Sequence, residues 1–393
     1  MKDVYLDEHL LYNLPVDEME RSLSMKVRES SNAAVSVVEP NHWRAPLFIV
    51  GASRSGTAML RSILMQNKIV SLTGETHYFD DLRPRFIGKN LDEIEEGDLE
   101  VCCDYFRAQT DRPYGKSGNP ENSWLSRKEL LATAKKLGTD VDSLFEAYCK
   151  LSASRSGAEI WGEKTPRHIF RINDIVQRFP EARFICMIRD PRAVVASYRD
   201  WKFQGNGSSI EQDEDYKKVV SKEADRTRQS YHIIIASMMW RAAANAALQA
   251  QKTLTPRKVK IIKYEDVIAY PERVISDLCS WLDIEYQLEM LQVPLHNSSA
   301  FAFQSSAGVS QAPQNRWREV LARNEIAMIQ SLVHGPMKKL NYEQEPCRKT
   351  LFYTAKTYLT LPISVWRAAK VNRSRYSSLA TYFGKRIRAA LHG

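Results

Sequence analysis

GASRSGTAMLRSIL, residues 51–64, follows directly on the apolar run PLFIV (46–50) and passes into a helix-like pattern over 57–67. A buried strand therefore turns tightly, through two glycines, several small hydroxyl residues and one arginine, into a helix. In a parallel sheet such a loop leaves the carboxyl end of a strand and presents free backbone N–H groups at the positive end of the helix dipole, which together attract an anion. Gly51 and Gly56 let the backbone close around it. Ser53, Ser55 and Thr57 add hydroxyl donors, and Arg54 adds a permanent charge with a planar fork suited to phosphate or sulfate oxygens. The stretch reads as a phosphate-type cradle, with a tight turn that binds nothing as the alternative.

Outward from that loop, three short apolar runs suit strands buried on both faces: LFIV (47–50), RFICMI (183–188) and VKIIKY (259–264). Helical patterns cover 57–67, the region around 143–151, 167–179, 191–201, a long segment near 223–252, and PERVISDLCSWL (271–282), where Pro at the first turn is tolerated. Strands separated by helical crossovers predict an α/β fold, a single P-loop-like domain with a central parallel sheet flanked by helices. That domain is expected over 45–345, after an N-terminal arm over 1–44 without sustained periodicity and before a basic helical C-terminal tail over 346–393.

Composition narrows the class. With 393 residues and 44% hydrophobic content the chain can bury a full core. Its six cysteines form no C-x-x-C pair, and Cys186 inside RFICMI reads as a small buried hydrophobe, which suits a reducing compartment and a cytoplasmic location. The N-terminus MKDVYLDEHLLYNL lacks a basic leader followed by an apolar stretch, and no run of about eighteen apolar residues occurs, so neither secretion nor a spanning helix is expected. The net charge of +9 belongs to the tail: residues 346–393 hold ten Lys/Arg and no Asp/Glu, leaving 46 basic against 47 acidic side chains before them. A nucleic-acid-binding surface is not expected on that distribution.

A second stretch, RFICMIRDPRAVVASYRDW, places Arg189 at a strand end, Asp190-Pro191 at a helix start and Ser197 two turns after Arg189. Arg189 and Ser197 can converge on a second anion. The nucleotide triphosphatase loop requires G-x-x-x-x-G-K-[ST], and here Thr57 stands where its Lys belongs, which argues against a P-loop-type kinase.

Together the two motifs resemble the sulfotransferase superfamily, enzymes that use 3′-phosphoadenosine 5′-phosphosulfate (PAPS). GASRSGTAMLRSIL is similar to the family's 5′-phosphosulfate loop, and IRDPRAVVASY to its 3′-phosphate motif, with Arg189 and Ser197 at the two binding positions. The resemblance covers about residues 46–342, taking in GETHYF, GEKTPRH, YEDVIAYPERVISDLCSWL and Arg316-Trp317. The Arg54 form of the loop resembles the carbohydrate and tyrosylprotein branches, and Ala58 departs from a commoner Thr, leaving its backbone N–H to serve.

The resemblance implies that Arg54, Ser55, Gly56, Thr57, Ala58 and Met59 hold the phosphosulfate, with Arg54 also acting in catalysis. It implies Glu75 as the base that takes the acceptor hydroxyl's proton, with His77 as its rival, and Lys164 as the cation that neutralises charge on the leaving phosphate. Tyr264 is implied near the nucleotide. SSAGVSQAPQNRW (305–317) resembles a loop that folds over PAPS, with Ser305 or Ser306 near the bridging oxygen, Arg316 near the 3′-phosphate, and Trp317 near the base or packing the loop. The implied reaction passes a sulfuryl group from PAPS to a hydroxyl, of a carbohydrate or glycolipid by preference, leaving adenosine 3′,5′-bisphosphate and requiring no metal. A non-catalytic membrane-surface scaffold on the same fold is the rival of another class.

In the tail, LFYTAKTYLTLPISVWRAAK (351–370) is apolar, carries Trp366 and is interrupted by Pro362, which argues against one continuous spanning helix. RYSSLATYFGKRIRAALHG (375–393) places Tyr376, Leu379, Phe383, Ile387 and Leu391 at helical spacings among Lys385, Arg386 and Arg388. Such a helix either lies on an anionic membrane or packs back on the domain.

Overall fold

Alternation along two central strands sorts their side chains into two buried layers. The structure, a computed structural model, describes residues 43–111, 118–199, 214–292 and 315–373. Strands β1 (Leu47–Gly51), β2 (Gly162–Lys164), β3 (Arg183–Ile188) and β4 (Val259–Lys263) form one sheet in the order β2-β1-β3-β4, every pairing parallel. The longer helices are α1 (Thr57–Leu64), α2 (Glu96–Gln109), α3 (Arg127–Leu137), α4 (Asp142–Ser154), α5 (Pro191–Arg199), α6 (Glu214–Ser230), α7 (Ile233–Thr253), α8 (Pro271–Leu282), α9 (Arg323–Lys339) and α10 (Leu351–Val371).

Leu47, Ile49, Ile185 and Met187 pack on one side with Leu60 and Ile63 of α1 and Ile275 and Leu278 of α8. Phe48, Val50, Phe184 and Cys186 pack on the other with residues of α4, α5, α7 and α9. Phe48 lies 5.5 Å from the ring of Phe184 and 6.2 Å from that of Phe145. Truncating such a buried ring to alanine costs about 3–5 kcal/mol. With both faces covered, these strands read as unbroken apolar runs, which is why the sequence discloses them.

Several elements differ from the sequence expectation. Strand β2 has only three residues, GEK, with no apolar run to betray it. The long helix expected near 223–252 is two helices, α6 and α7, with the break at Tyr231–His232, where the His232 ring accepts the Ile234 N–H and caps α7. Tyr264 does not end the β4 strand but opens a short helix, Tyr264–Ala269. The expected helix over 167–179 is a tight 3-10 turn, Pro166–Arg171, leading into Ile172–Arg178. Pro362 does not interrupt α10, which continues through it to Val371. The missing N–H removes one helical bond, while Arg367 Nε donates to Gln229 O of α6 (2.9 Å) and Asn372 Nδ2 donates to Ser230 Oγ (2.9 Å), holding the helix to the body. Among the described residues no helix is long and apolar enough to cross a membrane. Residues 1–42 of the arm, Ser305 and Ser306, and the basic face over 376–391 lie outside the described residues.

Candidate active site

Parallel strands present all their carboxyl ends on one side, so the loops after β1, β2, β3 and β4 share one edge of the sheet. The loop after β1 is the most constrained of them. Gly51 has φ 146°, and a Cβ there would lie 2.1 Å from the Met187 carbonyl oxygen of β3, so no other residue lets the two strands run this close. Arg54 (φ 71°) and Gly56 (φ 84°) follow in the left-handed region. Gly56 caps α1 without a side-chain hydrogen bond, and the first helical bond runs from Leu60 N to Gly56 O (3.0 Å). The amides of Thr57, Ala58 and Met59 therefore have no carbonyl one turn back within the helix. Ser55 is fully buried, and its Oγ has no hydrogen-bond partner among the described residues. An unsatisfied buried hydroxyl costs about 1–3 kcal/mol. A loop with left-handed residues, amides at a helix start and an orphaned hydroxyl matches the oxygen-rich terminus of a phosphosulfate, so the residues fit the group.

The Arg54 side chain crosses to the next strand end. Its Nε donates to Ser197 Oγ on α5 (3.0 Å), while Arg189 Nη1 donates to the Arg54 carbonyl (3.2 Å). The Arg189 guanidinium lies 4.4 Å from the centre of the Tyr264 ring, a stacking contact that orients its fork. The backbone beneath is held too: Trp240 Nε1 donates to Arg189 O (2.8 Å), and Asp190 N donates to the Glu265 carboxylate (2.9 Å). Burial raises the Glu265 carboxyl above its usual range, with that amide opposing, and burial likewise raises the Tyr264 hydroxyl, with Arg189 opposing. Asp190 caps α5 as its sequence suggests, accepting from Arg192 N (2.8 Å). Arg54, Gly56, Arg189, Ser197 and Tyr264 thus form one contiguous unit.

The loop after α1 brings the carboxylate. Ser71 N donates to Ile160 O (2.9 Å), Thr73 N to Gly162 O (2.9 Å) and Lys164 N to Thr73 O (3.1 Å), so residues 71–73 run beside β2 as an extra edge. Glu75 emerges there and pairs with Lys164 Nζ, and its other oxygen lies 3.5 Å from His77 Nε2. Glu75 is 39% exposed at the side chain against 10% for Lys164, so the carboxylate is the member that solvent-borne molecules reach. Burial holds the His77 imidazole below its ordinary value, with Glu75 pulling the other way. Lys164 pairs in register with Ile49 of β1, and Gly51 with Met187 of β3, so the Glu75–Lys164 pair stands one strand away from the anion loop.

Two residues beneath this site, Glu163 and His168, were not singled out by the sequence reading. The Glu163 carboxylate faces the His168 ring, and both side chains are fully buried. The same carboxylate accepts from Thr76 Oγ1 (2.6 Å) and Thr165 Oγ1 (3.2 Å). Thr76 Oγ1 in turn accepts from Tyr78 N (3.1 Å), and Tyr105 donates to the Thr76 carbonyl. The peptide between Glu75 and His77 is therefore anchored from below. The signal available was GEKTPRH itself, whose Glu and His sit among residues with no polar pattern.

Of the remaining expectations, Trp317 is 3% exposed, with the guanidinium carbons of Arg192 and Arg318 at 4.2 and 4.4 Å from its ring centre. Those contacts pack it at the end of the loop. Arg316 precedes it as the cap of the short helix Trp317–Val320.

Chemically, the edge holds an anion cradle, two guanidinium groups, and a carboxylate–ammonium pair next door, which is a layout for moving a group from an anionic leaving oxygen to a hydroxyl. The sulfotransferase family model matches residues 46–288. Among solved structures, the chain is similar to the sulfotransferase domain of the Synechococcus PCC 7002 olefin synthase, at 17% identity over 78% of this chain and 98% of that one, with a TM-score of 0.47. It is similar to sulfotransferase STF9 from Mycobacterium avium at 17% identity over 82% of each chain, with a TM-score of 0.40. Retinol dehydratase, solved with androsterone and the inactive cofactor PAP, matches at 13% identity over 81% of this chain and 87% of that one, with a TM-score of 0.34.

Proposed function

The chain belongs to the sulfotransferase family and is a sulfotransferase, and from that premise we propose that it transfers a sulfuryl group from PAPS to a hydroxyl of a carbohydrate or glycolipid, with Glu75 as general base. The family uses PAPS and acts on hydroxyl-bearing acceptors. The observation that carries the reading is the Glu75–Lys164 pair standing at the strand end beside the glycine loop with its orphaned Ser55 hydroxyl.

PAPS, when bound, supplies the sulfuryl group, and adenosine 3′,5′-bisphosphate leaves. Ser55, the amides of Gly56 to Met59 and the fork of Arg54 hold the phosphosulfate end. Arg189 and Ser197 hold the 3′-phosphate, and Tyr264 keeps Arg189 in its plane. Lys164 neutralises charge at the departing oxygen, a role whose loss costs roughly 2.7–4 kcal/mol at similar sites. Glu75 accepts the acceptor hydroxyl's proton as its oxygen closes on sulfur. His77, whose imidazole burial holds below its ordinary value, is the rival for that proton. The carbohydrate or glycolipid preference rests on the Arg54 form of the loop and on GETHYF, which is analogy. The six free cysteines, five of them buried, support a reducing, cytoplasmic setting.

The test is Glu75→Gln with labelled PAPS and a panel of sugar and glycolipid acceptors. Turnover is expected to vanish while the affinity for adenosine 3′,5′-bisphosphate, measured by calorimetry, stays within about twofold, since a base acts on the acceptor. Near-normal turnover would move the base to His77 or elsewhere.

A further inference from the structure

Helix α10 leaves most of its large apolar side chains outside the core. The face it turns to the body carries Thr357, Ser364 and Ala368, all buried, at spacings of seven and four that put them on one side, with Tyr353 and Leu361 half-buried against the core beside them. The opposite side carries Phe352, Leu359, Ile363 and Trp366, at spacings of seven, four and three, and these are 80%, 76%, 66% and 64% exposed. A helix packed on a soluble body normally buries its large apolar side chains and exposes the small and polar ones. The stripe from Phe352 to Trp366 is about 21 Å long at 1.5 Å per residue. A continuous exposed apolar strip of that kind marks an interaction surface.

Charge says what covers it. Lys356, Lys370 and Arg373 are exposed and fall on the stripe's side or its margin, with Lys370 Nζ 5.3 Å from the Trp366 ring centre. No Asp or Glu occurs from residue 346 to the end of the chain. A second copy laid face to face would set these cations against each other with no acid on the helix to pair them. A bilayer with anionic headgroups takes both features at once: the apolar row enters the headgroup boundary, the tryptophan sits at the interface, and the lysine stems reach out to phosphates. Since α10 neither spans a bilayer nor leaves the body, it would lie in the plane of the surface.

We propose that the outward face of α10, built on Phe352, Leu359, Ile363 and Trp366, docks the enzyme flat on an anionic lipid surface. The surface lies upstream of the basic stretch to which the sequence pointed, and it stands independently of the sulfuryl-transfer reading because its readout is binding and not turnover.

The test uses the full chain in co-sedimentation with vesicles of phosphatidylcholine, with and without phosphatidylserine. Wild-type protein is expected on the serine-containing vesicles. Leu359→Glu/Ile363→Glu should lower partitioning by roughly tenfold or more, since two apolar anchors are lost and two repelled charges are added. Lys356→Glu/Lys370→Glu should abolish the preference for phosphatidylserine while keeping some attachment to neutral vesicles. Both variants change exposed side chains only, and an unchanged melting midpoint verifies that they fold. Equal partitioning of wild type and Leu359→Glu/Ile363→Glu would overturn the proposal and leave residues 374–393 as the attachment. Absence of vesicle binding by wild type would overturn it too, and concentration-dependent self-association abolished by Leu359→Glu/Ile363→Glu would then identify the stripe as an interface between copies.

Discussion

Gly56→Ala tests whether the anion loop and the arginine platform are one unit. Gly56 sits at φ 84°, and a Cβ on it would lie 2.5 Å from Tyr264 Cδ2 and 2.9 Å from Cε2. The left-handed conformation costs an alanine about 1–2 kcal/mol. The ring cannot yield freely, because Tyr264 is 3% exposed and Arg189 lies against it. Forcing a methyl into such packing adds roughly 1–3 kcal/mol, so a loss of about 2–5 kcal/mol is expected in urea unfolding. A displaced Tyr264 also releases the Arg189 fork, and the loss of one charge-assisted contact, roughly 1.5–3 kcal/mol, lowers affinity for adenosine 3′,5′-bisphosphate by about ten- to hundredfold. The control is Gly74→Ala, where an added Cβ meets nothing within 4 Å. If Gly56→Ala matches Gly74→Ala in both unfolding and calorimetry, the steric argument and the platform assignment fail together.

Arg189→Ala should cost roughly 1.5–3 kcal/mol of affinity for adenosine 3′,5′-bisphosphate and Ser197→Ala about 0.5–1.5, with adenosine 5′-phosphate barely affected; unchanged calorimetry in both variants removes them from the 3′-phosphate. Glu163→Gln keeps an oxygen for Thr76 and Thr165 but removes the carboxylate that faces the buried His168 ring, so about 1–3 kcal/mol of stability should go. Turnover of the folded fraction should fall more than nucleotide affinity, because what loosens is the Glu75 loop; equal losses in both would reduce Glu163 to a core residue. His77 has a folded value below its ordinary 6.5, so as pH drops through 6.5 the unfolded chain takes the proton first and stability declines. His77→Asn should flatten that part of the urea-midpoint profile, and an identical slope in both proteins would show that other groups set it.

What the sequence disclosed and what it hid follow from one physical difference. Strands β1, β3 and β4 lie in the sheet's interior or against two layers of helices, so selection for burial writes them as apolar runs that can be read without a structure. The loop after β1 was legible because glycine at positive φ, hydroxyls and arginine have few other reasons to occur together. Strand β2 was hidden, since its short length and its Glu163 and Lys164 serve the site and not the core. The break between α6 and α7 was hidden because Tyr231-His232 contains no glycine or proline, and the cap is a histidine ring instead of a serine or aspartate. Pro362 misled in the other direction: contacts of α10 with α6 carry the helix across a residue that local preference alone would make a stop.

That hidden strand is also where the geometry of the site is fixed. Side chains alternate across a strand, so neighbouring residues 163 and 164 point to opposite faces. Glu163 turns into the core and ties down Thr76 from below, while Lys164 pairs with Glu75 above. One peptide unit thus sets both the height of the Glu75 loop and the position of Lys164. Because β2 is bonded in register to β1, with Gly162 opposite Leu47 and Lys164 opposite Ile49, the same unit is rigidly referenced to the loop that begins at Gly51, two residues beyond Ile49. Reacting groups held within fractions of an ångström contribute far more than the same groups on mobile loops. The Glu75 carboxylate is reached through a loop, and the buried Glu163, through Thr76, ties that loop to the sheet.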